Sequence, residues 1–184
     1  MQNLKLEERA LEIATRAHND IGQVRKYTNE PYINHPIAVA EIVRSVGGNS
    51  IQIAAAYLHD TIEDTPMTEE ELRTLIADDF GDQIADELVV MVSGLTDVST
   101  RADGNRETRK RIDREHTAVQ TPNCKTIKIA DLLNNTESIL EHDADFAKIY
   151  MKEKKLLLEV LEEGNKTLYA KAMMVVHRYF TENQ

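Results

Sequence analysis

The chain has 184 residues, 41% of them hydrophobic, enough for one good core and most simply one domain spanning 1–184. Its 22 Lys and Arg against 32 Asp and Glu give a net charge of −10, which argues against general attraction to nucleic acid or to an anionic membrane. The single cysteine, Cys124, excludes an intrachain disulfide framework and a Cys-based zinc site, and suits a reducing cytoplasm.

The amino-terminal stretch is amphipathic and charged, and no run approaches the roughly 18 apolar residues of a membrane span, so a soluble, unsecreted, cytoplasmic protein is expected. Leu6 to His18 carries a helical period, with His18 read as a hydrogen-bonded structural histidine. Asp20 to Asn34 reads as a loop, broken by Gly22, Asn29 and Pro31 and holding the adjacent cations Arg25 and Lys26 before Tyr27. His35 then precedes Pro36, which suits a first helical turn, so His35 is expected at the amino-terminus of a helix running to Val46. Gly47 and Gly48 end that helix, and Ser50 is the expected cap of the next.

That next helix carries AAAYLHDTIEDT, Ala54 to Thr65. Positions four apart on a helix share a face, so His59 is expected above Glu63 and Asp60 above Asp64, and an imidazole and three carboxylates meet at one helical end. The alanines, Tyr57 and Leu58 place this helix in the core, where a carboxylate needs a cation, and a divalent metal is the most economical one. Pro66 stops the helix, Thr68 with Glu71 is a capping box for a helix to about Asp79, and Asp82 to Val92 forms another. VVMV has strand composition but stands between helical patterns with no obvious partner.

From Arg101 to Arg114 six basic residues face three acidic ones, a local +3 that either is a solvated helix face or meets an anion. Thr126 to Glu141 is helical. Asp131 interrupts its apolar stripe and again calls for a cation, with Asn135 one turn further on the same face. Two last helices, about Asp143 to Glu162 and Lys166 to Phe180, are separated at Gly164.

His35, His59-Asp60 and Asp131 together resemble the H…HD…D signature of the HD superfamily of metal-dependent phosphohydrolases. RKYTNEPYINHPIAVA, AAAYLHDTIEDT and IKIADLLNN are similar to the hydrolase domain of the RelA/SpoT alarmone enzymes, above all to its small stand-alone forms such as the metazoan SpoT homologue. The resemblance covers roughly residues 10 to 160. It implies an all-α HD-domain helical bundle, without a synthetase domain, that hydrolyses the 3′-pyrophosphate of ppGpp-like nucleotides with Mn²⁺ in the stringent response.

Carried over residue by residue, the metal ligands are His35, His59, Asp60 and Asp131, and the catalytic acids are Glu63 and Asp64. Arg25 and Lys26 match the pair that contacts the nucleotide, Asn135 a sugar-phosphate contact, Arg106 a basic residue near the phosphates, and Tyr150 a tyrosine near the nucleotide. Independently of the family, two imidazoles and two carboxylates form a mixed N/O set suited to Mn, Fe or Zn. Three positions depart from the pattern. Leu132 stands where Arg or Lys is usual, Glu137 where an arginine is common, and Tyr27 where a small or acidic residue is common, which bears on the choice among ppGpp, ppApp and NADPH. The alternatives are another HD phosphohydrolase, such as an NADPH 2′-phosphatase or a nucleotidase, and a nucleotide-sensing module without turnover. The expected partner is a small-molecule nucleotide, with no nucleic acid and no membrane.

Overall fold

The computed structural model describes residues 2–183, with the side chains from Lys5 onward. It is all-α: α1 (Gln2–Asp20), α2 (Asn34–Ser45), α3 (Ser50–Leu58), α4 (Thr61–Asp64), α5 (Glu69–Phe80), α6 (Asp82–Leu95), α7 (Arg106–Ala118), α8 (Pro122–His142), α9 (Ala144–Leu158) and α10 (Lys166–Glu182). A short 3₁₀ turn at Arg101–Asp103 precedes α7. The chain divides into two compact units, Met1–Thr96 and Asp97–Gln184.

In the first unit α3 is the central element, packed by α1, α2 and α6. Its residues Ile53 to Leu58 are all buried, as the apolar run predicts. Asn49, not Ser50, caps it: the Asn49 side chain accepts from the Gln52 amide while the Gln52 side chain accepts from the Asn49 amide. The predicted Thr68–Glu71 box opens α5. VVMV lies inside α6, where Leu88, Val89, Met91 and Val92 are buried.

In the second unit α8, α9 and α10 pack on one another. Helix α8 begins at Pro122, four residues before the predicted start, because Thr121 caps it and proline suits its first turn. Gly164 lets the connection to α10 pass close to α8: a Cβ there would lie 2.8 Å from Ile129 Cδ1 and 3.1 Å from the Lys125 carbonyl carbon. Asn165, which caps α10, donates its amide to Thr126 Oγ1 at 2.9 Å.

Candidate active site

The stretch AAAYLHDTIEDT is not one helix. Helix α3 ends at Leu58, His59 and Asp60 form a turn, and α4 is a single turn bearing Glu63 and Asp64. The expected face-sharing along one continuous helix therefore does not hold. His59 is buried and Asp60 partly buried, while Glu63 and Asp64 are exposed.

His35, buried in the first turn of α2, and His59 meet edge to face with ring centroids 5.1 Å apart. Their ligating ring nitrogens lie within 4.8 Å of each other. Asp60 Oδ2 is 3.0 Å from His59 Nε2 and 3.5 Å from His35 Nε2, and it accepts a 2.6 Å hydrogen bond from the Tyr32 hydroxyl. Burial raises the Asp60 carboxyl pKa, but His59 and His35 beside it and the Tyr32 O–H together hold it well below the usual carboxylate range.

The tautomer of His59 follows from its other nitrogen. The Ala56 carbonyl can only accept, so His59 Nδ1 donates to it at 2.8 Å, and in the neutral ring Nε2 then carries the lone pair. A lone pair turned toward a carboxylate oxygen 3.0 Å away is stabilised by a cation between them, either a proton or a metal ion. The backbone bond from Nδ1 is also the arrangement that orients a metal-ligating histidine. By donor chemistry, His35, His59 and Asp60 fit a divalent metal.

Tyr32 carries no local sign of partnering Asp60, since the two are 28 residues apart. The same holds for Gln23, a polar residue in a loop 41 residues from its partner Asp64. It donates from Nε2 to Asp64 Oδ2 at 2.8 Å and accepts from His18 Nδ1 at 2.6 Å, which makes His18 the hydrogen-bonded histidine that was expected. In the same loop Arg25 lies over the Tyr32 ring at 6.0 Å, and Lys26 donates to the Tyr27 hydroxyl at 3.1 Å.

In the second unit Asp131 is buried on α8 and accepts from Asn135 Nδ2 at 2.6 Å, the one-turn relation its spacing predicts. Lys128 Nζ lies 3.9 Å from Asp131 Oδ2 and 3.8 Å from Asp97 Oδ1. The Tyr150 hydroxyl donates to the Leu132 carbonyl at 3.4 Å, and burial raises its pKa above the ordinary phenol value. Lys154, also buried, contacts the Leu132 carbonyl and Thr136 Oγ1 and forms no ion pair among the described residues. Burial lowers its pKa to about 8, with the charge of Asp131 working the other way.

The basic stretch is tied to residues on either side of it. Lys110 donates to Asp97 Oδ2 at 2.6 Å, and Asp113 accepts from the Ser99 amide and hydroxyl. Arg106 makes a bidentate pair with Glu153, at 2.6 and 2.8 Å, and stands 5.2 Å from the Phe146 ring centroid.

The HD domain family model matches residues 10–155. The chain belongs to the HD domain family. Among its relatives, a probable GTP pyrophosphokinase of Mycobacterium leprae is 35% identical over 138 residues, covering 74% of this chain and 16% of its own length. A guanosine-3′,5′-bis(diphosphate) 3′-pyrophosphohydrolase of Haemophilus influenzae is 37% identical over 129 residues, 69% of this chain and 18% of its own. The shorter 3′-pyrophosphohydrolase MESH1 of Xenopus tropicalis is 36% identical over 111 residues, 59% of this chain and 56% of its own. The HD chain thus spans about a sixth of the length of the longer curated relatives. A solved structure described as a metazoan orthologue of SpoT that hydrolyses ppGpp and plays a role in starvation responses matches with a TM-score of 0.79 at 25% identity, covering 95% of each chain. No helix among the described residues of the HD chain is long and apolar enough to cross a membrane.

Proposed function

We propose that this chain is a metal-dependent 3′-pyrophosphohydrolase of alarmone nucleotides, converting ppGpp, pppGpp or ppApp to the nucleoside di- or triphosphate and pyrophosphate in the cytoplasm. The observation that carries the reading is the meeting of two imidazole nitrogens and one carboxylate oxygen at His35, His59 and Asp60, in a chain whose relatives include named 3′-pyrophosphohydrolases. Asp131 is proposed as the fourth ligand, and the chain as a single HD domain, which the family model over residues 10–155 supports.

The N/O donor set suits Mn²⁺, and the ion, when bound, supplies Lewis acidity toward a phosphoryl oxygen and toward water. The protein's own acids handle the protons. Water oxygen bonds to the phosphorus attached to the 3′-oxygen and the P–O3′ bond breaks. Between them, Glu63 and Asp64 take the proton from the water and return one to the departing 3′-oxygen. Their exposure on α4 lets substrate reach both. Arg25, Lys26, Asn135, Tyr150 and Arg106 are proposed substrate contacts. For Arg106 this requires that phosphate share the guanidinium with Glu153 or displace it.

The test offers purified protein and Mn²⁺ the substrates ppGpp, ppApp, NADPH and deoxynucleoside monophosphates, and identifies the phosphorus product. Pyrophosphate from ppGpp or ppApp supports the reading. Orthophosphate from NADPH or a monophosphate, with no pyrophosphate from either alarmone, replaces it with a phosphatase or nucleotidase. No turnover of any substrate, with nucleotide still bound, replaces it with a sensing module.

A further inference from the structure

Asp64 is exposed at the end of a single-turn helix, a poor support for an acid that must be held in register. One side chain reaches it from 41 residues away. Gly22, in the left-handed conformation at φ 62°, turns the chain off α1 and delivers Gln23. The Gln23 backbone is fixed on both sides: its amide donates to the His18 carbonyl at 3.0 Å, and its carbonyl accepts from the Tyr32 amide at 3.1 Å.

The orientation of the Gln23 amide is set by its two partners. The Asp64 carboxylate can only accept, so the amide nitrogen faces it and the amide oxygen faces His18. His18 must therefore carry its proton on Nδ1. Its Nε2 is fully buried with no hydrogen-bond partner among the described residues, so a proton there would be stranded. Burial also lowers the His18 pKa, against the Gln23 bond and the charges of Asp60 and Asp64, which favours the neutral ring. The His18 ring packs on Tyr32 at a centroid distance of 4.8 Å, and Tyr32 holds Asp60.

We propose that Gln23, oriented by His18, is a positioning residue that holds Asp64 for proton transfer and ties to it the loop bearing Arg25 and Lys26. This rests on Asp64 being one of the two acids of the reaction proposed above. Gln23 touches no reacting atom. A single amide gives one acid and the loop that carries two cations a common rigid reference.

Gln23→Met keeps the length of the side chain and removes both hydrogen bonds. It should lower kcat by about ten- to a hundredfold, the scale of a misplaced catalytic group, with manganese content unchanged. In an Asp64→Asn background the same substitution should cost nothing further, because the two residues act as one unit. His18→Phe, which keeps the ring and loses the donor, should slow turnover, and His18→Asn, which restores a donor near the Nδ1 position, should recover it. Independently of activity, ¹⁵N spectra of protein prepared without paramagnetic manganese should show His18 protonated on Nδ1. Wild-type kcat in Gln23→Met, an equal loss in the Asp64→Asn background, or a His18 protonated on Nε2 overturns the positioning role. Full activity in Asp64→Asn itself instead overturns the catalytic reading of Asp64, and this inference with it.

Discussion

Asp131 on α8 and Asp60 in the turn after α3 both enter buried surroundings, and they are fixed in opposite ways. Helix α8 runs through Asp131 without interruption, so Asn135, one turn on, reaches the carboxylate at 2.6 Å. Asp60 comes after its helix has stopped at Leu58. The carboxylate is gathered by residues distant in sequence, Tyr32 and His35, as well as by its neighbour His59. A carboxylate on a regular helix is thus held by the helical repeat itself, whereas one at a break takes its orientation from the rest of its unit.

Neutralising each aspartate should have the largest effect. Asp60→Asn and Asp131→Asn should each abolish stoichiometric manganese and nearly all turnover, exceeding the roughly ten- to hundredfold loss of metal affinity that follows removal of an outer partner. Full metal by elemental analysis in either variant would remove that residue from the ligand set. Glu63→Gln comes next. It should retain metal and nucleotide and lose about a hundredfold in turnover, the usual scale of general acid–base catalysis. Loss of metal in that variant would make Glu63 a ligand.

A smaller effect separates the two modes of support. Tyr32→Phe deletes only the hydroxyl that holds Asp60, and should weaken manganese binding by about tenfold, the lower end for an outer partner. Unchanged affinity by calorimetric titration would leave Asp60 held by the histidines alone.

In the second unit the contrast is read through stability. Burial lowers the Lys154 ammonium pKa to about 8 in the fold, against an ordinary value of 10.5. Between these values the unfolded chain binds more proton, so stability rises with pH across that window, and below it the full cost of the buried charge is present. Lys154→Met should raise stability at pH 7 by on the order of 1–3 kcal/mol and flatten that rise. Urea unfolding at pH 7 and 10 checks both; an unchanged slope would mean the ammonium is not penalised. The smallest expected change is at Arg106. Because Glu153 holds both guanidinium contacts, Arg106→Ala should reduce the specificity constant by no more than about tenfold, the lower range for a hydrogen bond to a charged group. Glu153→Gln should raise it if phosphate competes for the arginine, and steady-state kinetics of both variants decide this.

The all-α class and nearly all the helices were legible because apolar period and caps are local signals: Thr68 with Glu71, and Pro36 after His35, are readable within four residues. The break at His59-Asp60 was not, since nothing in AAAYLHDTIEDT forbids a helix and the contacts that claim Asp60 come from Tyr32 and His35. Asn49 displaced Ser50 as a cap because it could pair reciprocally with Gln52. The same limit applies around the site. Histidines and acids inside apolar runs announce themselves, but Gln23 as a partner of Asp64 and Glu153 as a partner of Arg106 lie 41 and 47 residues away, and ordinary polar residues give no sign of such pairings.

The interruption after Leu58 also sets where the molecule can yield. A helix of four residues has no cooperative stability of its own. The i→i+4 bonds that close α4 are those from the Asp64 amide to the Asp60 carbonyl and from the Thr65 amide to the Thr61 carbonyl. Helix α3 is locked beneath α1, α2 and α6, whereas α4 is held by its packing on α1, by the fully buried Thr61 and by the bond from Gln23 to Asp64. Glu63 and Asp64 therefore ride on an element that borrows its order from its surroundings, so loss of the Gln23 bond should loosen the acids and leave the core intact.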